Sequence, residues 1–277
     1  MGKSLIWQMH FVCVGINFWP KRFHRMYVMM SFRINVIFHK FLVSECYETL
    51  SEEDIAKYVR FVGVNAKIPK EIPANLTPYV IHERDLPIYD PFMQLNKFCE
   101  SSVFFHAYRN PQKFLDTPYI GFIHYDMLLK KEALEFLKRE IAVATEEVVF
   151  THATLVARPH LQQVIQLSQW DMLIKIYNVI FQKNYSIYDI LDGDIPLYHT
   201  FVIHRETFHR MMFFAERAVP YLFEMLQFST KDLPFMLERL HGIFLALQKK
   251  DGMPAKWIPI PGIVHLDRLK DAWRAAL

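Results

Sequence analysis

Short apolar runs rich in Val, Ile, Phe and Tyr alternate along this chain with longer segments whose apolar residues recur at helical spacing. The runs lie at 6–15, 58–64, 119–124, 147–150, 200–204 and 256–264. Between them, Leu134, Leu137 and Ile141 mark a helix over 131–143. Strands that alternate with helices are typical of α/β proteins with a largely parallel sheet, because parallel strands need long crossover connections.

Further helices are expected over 92–108, 161–182, 206–227 and 232–249. The segment 33–43 fits a strand or a helix, and the stretch from Asp192 to Pro196 has the chemistry of a turn. The chain contains no internal repeat and no low-complexity tract. We therefore expect residues 1–277 to form a single domain.

Glycine and cysteine usage excludes several classes of protein. The 8 glycines are too scattered for a dinucleotide-binding GxGxxG or a P-loop GxxxxGK[ST]. Cys13, Cys46 and Cys99 form no CxxC pair, which favours a reducing, cytoplasmic environment over a disulfide framework. The apolar stretch 4–19 is interrupted by polar residues and precedes no cleavage site, so we interpret it as a buried strand.

The charge is unevenly distributed, although the net charge of +3 is too small to indicate nucleic-acid binding. Residues 1–44 contain Lys and Arg but no Asp or Glu. Such a segment would attract phosphates or an anionic membrane surface, so peripheral membrane contact stays open. The alternative is a solvated basic face with no ligand.

The run from Tyr119 to His124 is a buried strand that ends abruptly in polar groups. Because strand side chains alternate, we expect His124 and Asp126 on one face and Tyr125 on the other. One interpretation of Asp126 is that it caps a helix starting near Leu128.

Four segments of the chain form a recognisable pattern. They are Asn96-Lys-Phe-Cys-Glu100, Tyr119-Ile-Gly-Phe-Ile-His-Tyr125, Thr200-Phe-Val-Ile-His-Arg-Glu-Thr-Phe208 and Glu238-Arg-Leu240. Together they resemble the GT-A-type glycosyltransferases of capsular-polysaccharide gene clusters. That family has a "YCE" helix, a "YIGLxHYRR" strand, a "FIMKKEIF" segment and an "ERL" helix in the same order, matching residues 90–245. This chain departs from the pattern in having Asp126 and Met127 where the family has two arginines.

The resemblance implies a GT-A-like fold, with a single open, mostly parallel sheet flanked by helices. Residues 1–130 would form the nucleotide-sugar-binding half, and residues 131–277 the acceptor-side half. It also implies transfer of a monosaccharide from a nucleoside diphosphate sugar, with UDP as the expected nucleotide, to a glycan hydroxyl. Asp126 resembles the DxD acid that holds Mn²⁺ or Mg²⁺ against the diphosphate, and His265 resembles the late metal-binding histidine of such enzymes.

The same resemblance also implies a general base. Glu238, with Asp232 as the local alternative, would be the general base of an inverting reaction. The helical turn of about 100° per residue is expected to keep Arg239 away from Glu238, which leaves the arginine for a diphosphate or acceptor oxygen. Asp194 and His199 would lie near the acceptor, whereas the spacing of His199, His204 and His209 is interpreted as incidental.

The donor nucleotide would be bound by residues from the first half of the chain. They are Gly15, Asn17, Arg22, Asn96 and His124, with Asn96 one turn before Glu100 on a single helix.

Two other functions stay open. Two HxD elements, at His124 and His265, could serve a metal-dependent hydrolase, and the basic segment could serve a non-enzymatic surface-binding protein.

Overall fold

The computed structural model describes residues 31–144, 148–152, 154–156, 167–191, 193–196, 199–227, 231–253 and 256–266. The strands are β1 Phe32–Phe38, β2 Val59–Gly63, β3 Val80–His82, β4 Tyr119–His124, β5 Met127–Leu129, β6 Val148–Thr151, β7 Thr154–Val156, β8 Asp194–Pro196, β9 Phe201–His204, β10 Lys256–Pro259 and β11 Ile263–His265. The helices are α1 Glu52–Tyr58, α2 Pro91–Leu95, α3 Ser101–Arg109, α4 Pro111–Phe114, α5 Lys131–Ile141, α6 Leu167–Phe181, α7 Tyr188–Leu191, α8 Arg205–Met225 and α9 Leu233–Lys250.

A seven-stranded sheet of order β10-β6-β9-β4-β1-β2-β3 forms the centre of the fold. Strand β9 runs antiparallel to its neighbours β4 and β6, and the other pairings are parallel. Helices α3, α6, α8 and α9 pack on one face of the sheet, and α1 and α5 pack on the other. The α/β fold with a mostly parallel sheet flanked by helices is therefore confirmed.

The segment 33–43, which fitted a strand or a helix, contributes residues 33–38 to the interior strand β1. Its side chains pack alternately on the two faces, with Ile34 and Val36 on the α5 side and Ile37 on the α3 side. Within this apolar surrounding, buried Asn35 donates from Nδ2 to the carbonyl of Gly121 on β4, over 3.0 Å. The apolar residues of β1 thus belong to a strand that is covered on both faces.

The position of β1 also creates a crevice. From β1 the chain continues to β2 and β3 on one side, and then returns to β4 on the other side. Strand order therefore reverses between β1 and β4, and ligands of open α/β sheets bind at such a point, beyond the carboxyl ends of the strands.

Three predicted elements were wrong in detail. The helix expected over 92–108 is two helices, because Lys97 and Cys99 adopt positive φ values of 57° and 51° that no α-helix accommodates. The strand over 256–264 is divided into β10 and β11 by a turn in which Gly262 has φ 74°. The expected turn at 192–196 contains β8, which pairs with β7.

The described helices include none that is long and apolar enough to cross a membrane. The predicted strand over 6–15 lies outside the described residues.

Candidate functional site

Several histidines gather at the edge of the sheet where the parallel strands end. His39 directly follows β1, His124 ends β4, and His152 follows β6. His199 comes just before β9, whose antiparallel direction brings its start beside the end of β4. This edge contains the crevice between β1 and β4, so it is the candidate site.

Asp126 and His265 meet at this edge. Beyond His124 the chain turns and enters β5, which pairs with β11 so that Met127 lies opposite His265. The pairing leaves Asp126 Oδ2 and His265 Nε2 3.2 Å apart. Two residues separated by 139 positions in the sequence are thus held together by a short antiparallel ladder.

The helix-capping interpretation of Asp126 is wrong. Helix α5 begins at Lys131, its N-cap is Lys130, and that cap makes no side-chain hydrogen bond. The shared face with His124 is wrong as well. The alternation on which it was based does not extend to Asp126, because β4 ends at His124 and the chain then turns. The His124 ring lies 6.1 Å from the ring of His199.

The environment of Asp126 fits a divalent cation. The residue is 6% exposed, and its Oδ1 is buried with no hydrogen-bond partner among the described residues. An orphaned carboxylate oxygen is costly to bury, and a cation would satisfy it. Carboxylate oxygen and imidazole nitrogen together suit Mn²⁺. The described residues contain no group of three or more His, Cys, Asp or Glu side chains arranged for a metal.

A cavity of about 350 Å³ opens at the carboxyl ends of β2 and β3. Lys70, His82 and Arg84 contribute polar side chains to its wall. Gly63 is required there, because a Cβ at this position would lie 2.8 Å from Nδ1 of His82. Burial lowers the pKa of Lys70 to about 8 and also lowers the pKa of His82.

The Lys70 amine fixes the shape of this cavity. It donates to the carbonyl oxygens of His39 and Val64, and over 3.0 Å to that of Asn65. These bonds tie the loop after β2 to the residue that follows β1. Lys70 therefore links the cavity to the end of β1.

Glu83 forms the buried back of the cavity. Its Oε2 accepts from Ser102 Oγ at 2.6 Å and from His106 Nδ1 at 3.2 Å, and its Oε1 accepts from the backbone N–H of Asn65 at 3.2 Å. Nε2 of His106 accepts from the backbone N–H of Asp90 at 3.0 Å, so the ring proton is on Nδ1. This network anchors the cavity to α3.

A second buried group lies behind His124. Nε2 of His199 and Nδ1 of His241 are 3.0 Å apart, and the two residues are 4% and 0% exposed. Burial lowers the pKa of His241 to about 3, and burial with His241 nearby lowers that of His199, so both rings are neutral at pH 7. The Phe104 ring packs against both imidazoles. His199, whose spacing was interpreted as incidental, is thus part of a defined pair.

The predicted general base lies on α9, in the buried surrounding that the sequence indicated. The predicted separation of Glu238 and Arg239 was wrong, because Arg239 Nη1 lies 3.0 Å from Glu238 Oε2. The aliphatic part of the Arg239 side chain is flexible, and it places the guanidinium where it also donates to the carbonyl of Phe235 at 3.1 Å. Asp232 is exposed at the N-cap position of α9, where its side chain makes no capping bond.

The other predicted residues are not brought together at the crevice by the described contacts. Asn96 ends α2 as its C-cap, so it does not share a helix with Glu100, which was a further error. Asp194 begins β8. Gly15, Asn17 and Arg22 lie outside the described residues.

Sequence reasoning missed His39 and gave Glu100 no role. Nε2 of His39 lies 2.7 Å from Oε1 of Glu100, and the two residues close the crevice from the β1 side. A polar residue directly after the apolar run 32–38 could have indicated His39. Nothing in the spacing indicated its partner 61 positions away.

The fold is similar to that of a solved glycosyltransferase. The bifunctional glycosyltransferase WbbM matches with a TM-score of 0.59 and 13% identity, over 86% of this chain and 45% of that one. This chain therefore spans less than half of WbbM. Two weaker matches follow. Mouse xyloside xylosyltransferase 1 has a TM-score of 0.38 and 11% identity, and the match covers 83% of this chain and 85% of that one. The S. cerevisiae mannosyltransferase Ktr4p has a TM-score of 0.35 and 8% identity, and the match covers 77% of this chain and 65% of that one. No protein-family model and no curated protein matches the sequence.

Proposed function

We propose that this chain is a metal-dependent glycosyltransferase that moves a monosaccharide from a UDP sugar to a glycan hydroxyl. The observation that carries the proposal is the contact between Asp126 and His265 at the carboxyl edge of a sheet of glycosyltransferase type. Membership in the capsular-polysaccharide family stays a prediction, supported by the order of its motifs.

In this proposal Asp126 and His265 hold Mn²⁺ or Mg²⁺. The cation would neutralise the negative charge of the departing diphosphate. The short β5 and β11 ladder fixes the two side chains, so little ordering is needed when the substrate binds.

The nucleoside would occupy the cavity at the ends of β2 and β3. Its volume of about 350 Å³ lies at the lower end of the range for small-molecule sites. Lys70 and Arg84 give the wall a positive charge, which suits a nucleotide. The predicted contributions of Gly15, Asn17, Arg22 and Asn96 would add to this half of the site.

Glu238 stays the proposed general base of an inverting transfer, with Asp232 as the alternative. To accept a proton from the acceptor, Glu238 would have to release Arg239, and the freed guanidinium could then bind an oxygen of the diphosphate or the acceptor. Asp194 and His199 are proposed to contact the acceptor.

The experiment is turnover of a panel of nucleotide sugars, including UDP-glucose, UDP-galactose, UDP-xylose and GDP-mannose, with Mn²⁺ or with EDTA. Metal-dependent release of UDP is expected, and transfer to a glycan acceptor would identify the product. Release of phosphate from simple phosphoesters would favour the hydrolase instead. If neither occurs and no nucleotide binds, the proposal is wrong.

A further inference from the structure

Glu100 lies at the point where strand order reverses. His39, which follows β1, holds its Oε1 at 2.7 Å, and His124, which ends the adjacent strand β4, is close enough to contribute electrostatically. In the register of the sheet, Ile37 near the end of β1 lies opposite His124. The carboxylate therefore stands over the crevice between β1 and β4, where ligands of such sheets bind.

The surroundings of Glu100 keep it ionised. Burial alone would raise the pKa of this carboxyl, but the nearby imidazoles of His39 and His124 outweigh burial and hold it well below its usual range. A carboxylate of such low basicity is a poor general base. It is, however, a strong hydrogen-bond acceptor, because charge-assisted bonds are about twice as strong as neutral ones.

Helix capping does not account for this carboxylate. Glu100 occupies the N-cap position of α3, yet its side chain makes no capping bond to that helix. The side chain of His39 is 8% exposed, whereas that of Glu100 is 25% exposed. The carboxylate is thus the more accessible of the two groups, and the imidazole that is hydrogen-bonded to it can orient it.

Glu100 is linked to both halves of the proposed donor site through its histidine neighbours. On one side, Lys70 of the cavity wall donates to the carbonyl of His39. On the other side, His124 is followed two residues later by Asp126. The hydroxyl-bearing rings of a nucleotide sugar would flank the diphosphate in this region if the nucleoside filled the cavity.

We propose that Glu100 is a binding residue that accepts hydrogen bonds from hydroxyl groups of the donor, with His39 as the residue that positions it. The inference rests on the proposed function and deepens it, because it assigns a hydroxyl-recognising group to the donor site. The hydroxyls belong to the ribose or to the transferred sugar, and the experiment distinguishes the two.

The test measures, by calorimetry in the presence of Mn²⁺, the affinity for two ligands. One is UDP, and the other is the UDP sugar of the panel above that the wild type binds most tightly. Glu100→Gln keeps the size of the side chain but removes its charge, and Glu224→Gln on the exposed face of α8 is the matched control. We expect Glu100→Gln to weaken binding of the UDP sugar about 10- to 100-fold. An equal loss for UDP assigns the ribose, and an unchanged affinity for UDP assigns the sugar.

Two further variants protect the test against misfolding. Should Glu100→Gln lose its cooperative thermal transition, Glu100→Asp and His39→Gln are titrated in the same way, and weaker binding of the UDP sugar is expected from both. Wild-type affinity for both ligands in the folded variants would overturn the inference and leave the proposed function standing. If the wild type itself binds neither ligand, the proposed function fails and the role of Glu100 fails with it.

Discussion

Replacing Asp126 by Asn tests the proposed cation site most directly. The variant keeps the shape of a residue that is 6% exposed, but it removes the charge that faces His265 across 3.2 Å. Losing one partly buried hydrogen bond of this kind costs about 0.5 to 1.5 kcal/mol. At about 2 to 4 °C per kcal/mol for a chain of this size, the melting temperature without ligand should fall by roughly 1 to 6 °C.

The effect on ligand binding should be larger. With Mn²⁺ and with UDP at about 100 times its dissociation constant, the free energy of unfolding of the wild type should increase by about 2.7 kcal/mol. Its melting temperature should therefore rise by roughly 5 to 11 °C. Asp126→Asn should show little of this gain, because a neutral amide replaces the anionic ligand.

Differential scanning fluorimetry measures both effects, with EDTA in place of Mn²⁺ as the metal-free reference. Asp171→Asn is the matched control, since Asp171 lies on α6 in an exposed pair with Lys175. An equal ligand-induced shift in Asp126→Asn and wild type would refute the assignment of Asp126 to the cation. Complete unfolding of the variant without ligand would show instead that the carboxylate is needed for the fold.

Three further predictions concern the base, the buried histidines and the sheet. Glu238→Gln should lower the transfer rate by about 10² to 10⁴ with donor affinity within a few-fold, and NMR of the product should show an inverted anomeric centre. Because the pKa of His241 is about 3 in the folded chain and about 6.5 unfolded, the unfolded state binds more protons between these values. The free energy of unfolding should therefore fall as pH drops below about 6.5, and His241→Phe should flatten this loss in urea titrations. An unchanged pH dependence in His241→Phe would contradict the assignment to His241. Gly121→Ala should cost about 1 to 3 kcal/mol in the same titrations, since its Cβ would lie 2.9 Å from Cγ2 of Val202.

The sequence by itself determined the fold class and most of the sheet. Strands such as β4 and β9, and helices such as α5 and α8, were predictable because their apolar residues follow the local period of a strand or helix. Asp126 and His265 were also predicted from the sequence as candidate cation ligands, because each stands just after, or at the end of, an apolar run. These signals need only a few consecutive residues.

The tertiary structure decided which of these residues meet. The contacts of His39 with Glu100, His199 with His241 and Asp126 with His265 span 61, 42 and 139 positions, and no local pattern records them. The left-handed residues Lys97 and Cys99 broke a segment whose periodicity was helical throughout. Arg239 pairs with Glu238 although the helix turns by about 100° between them. The long arginine side chain can bend, so the helix angle alone does not determine where the guanidinium lies. Spacing determines which side of an element a residue occupies, whereas packing between elements determines its partners.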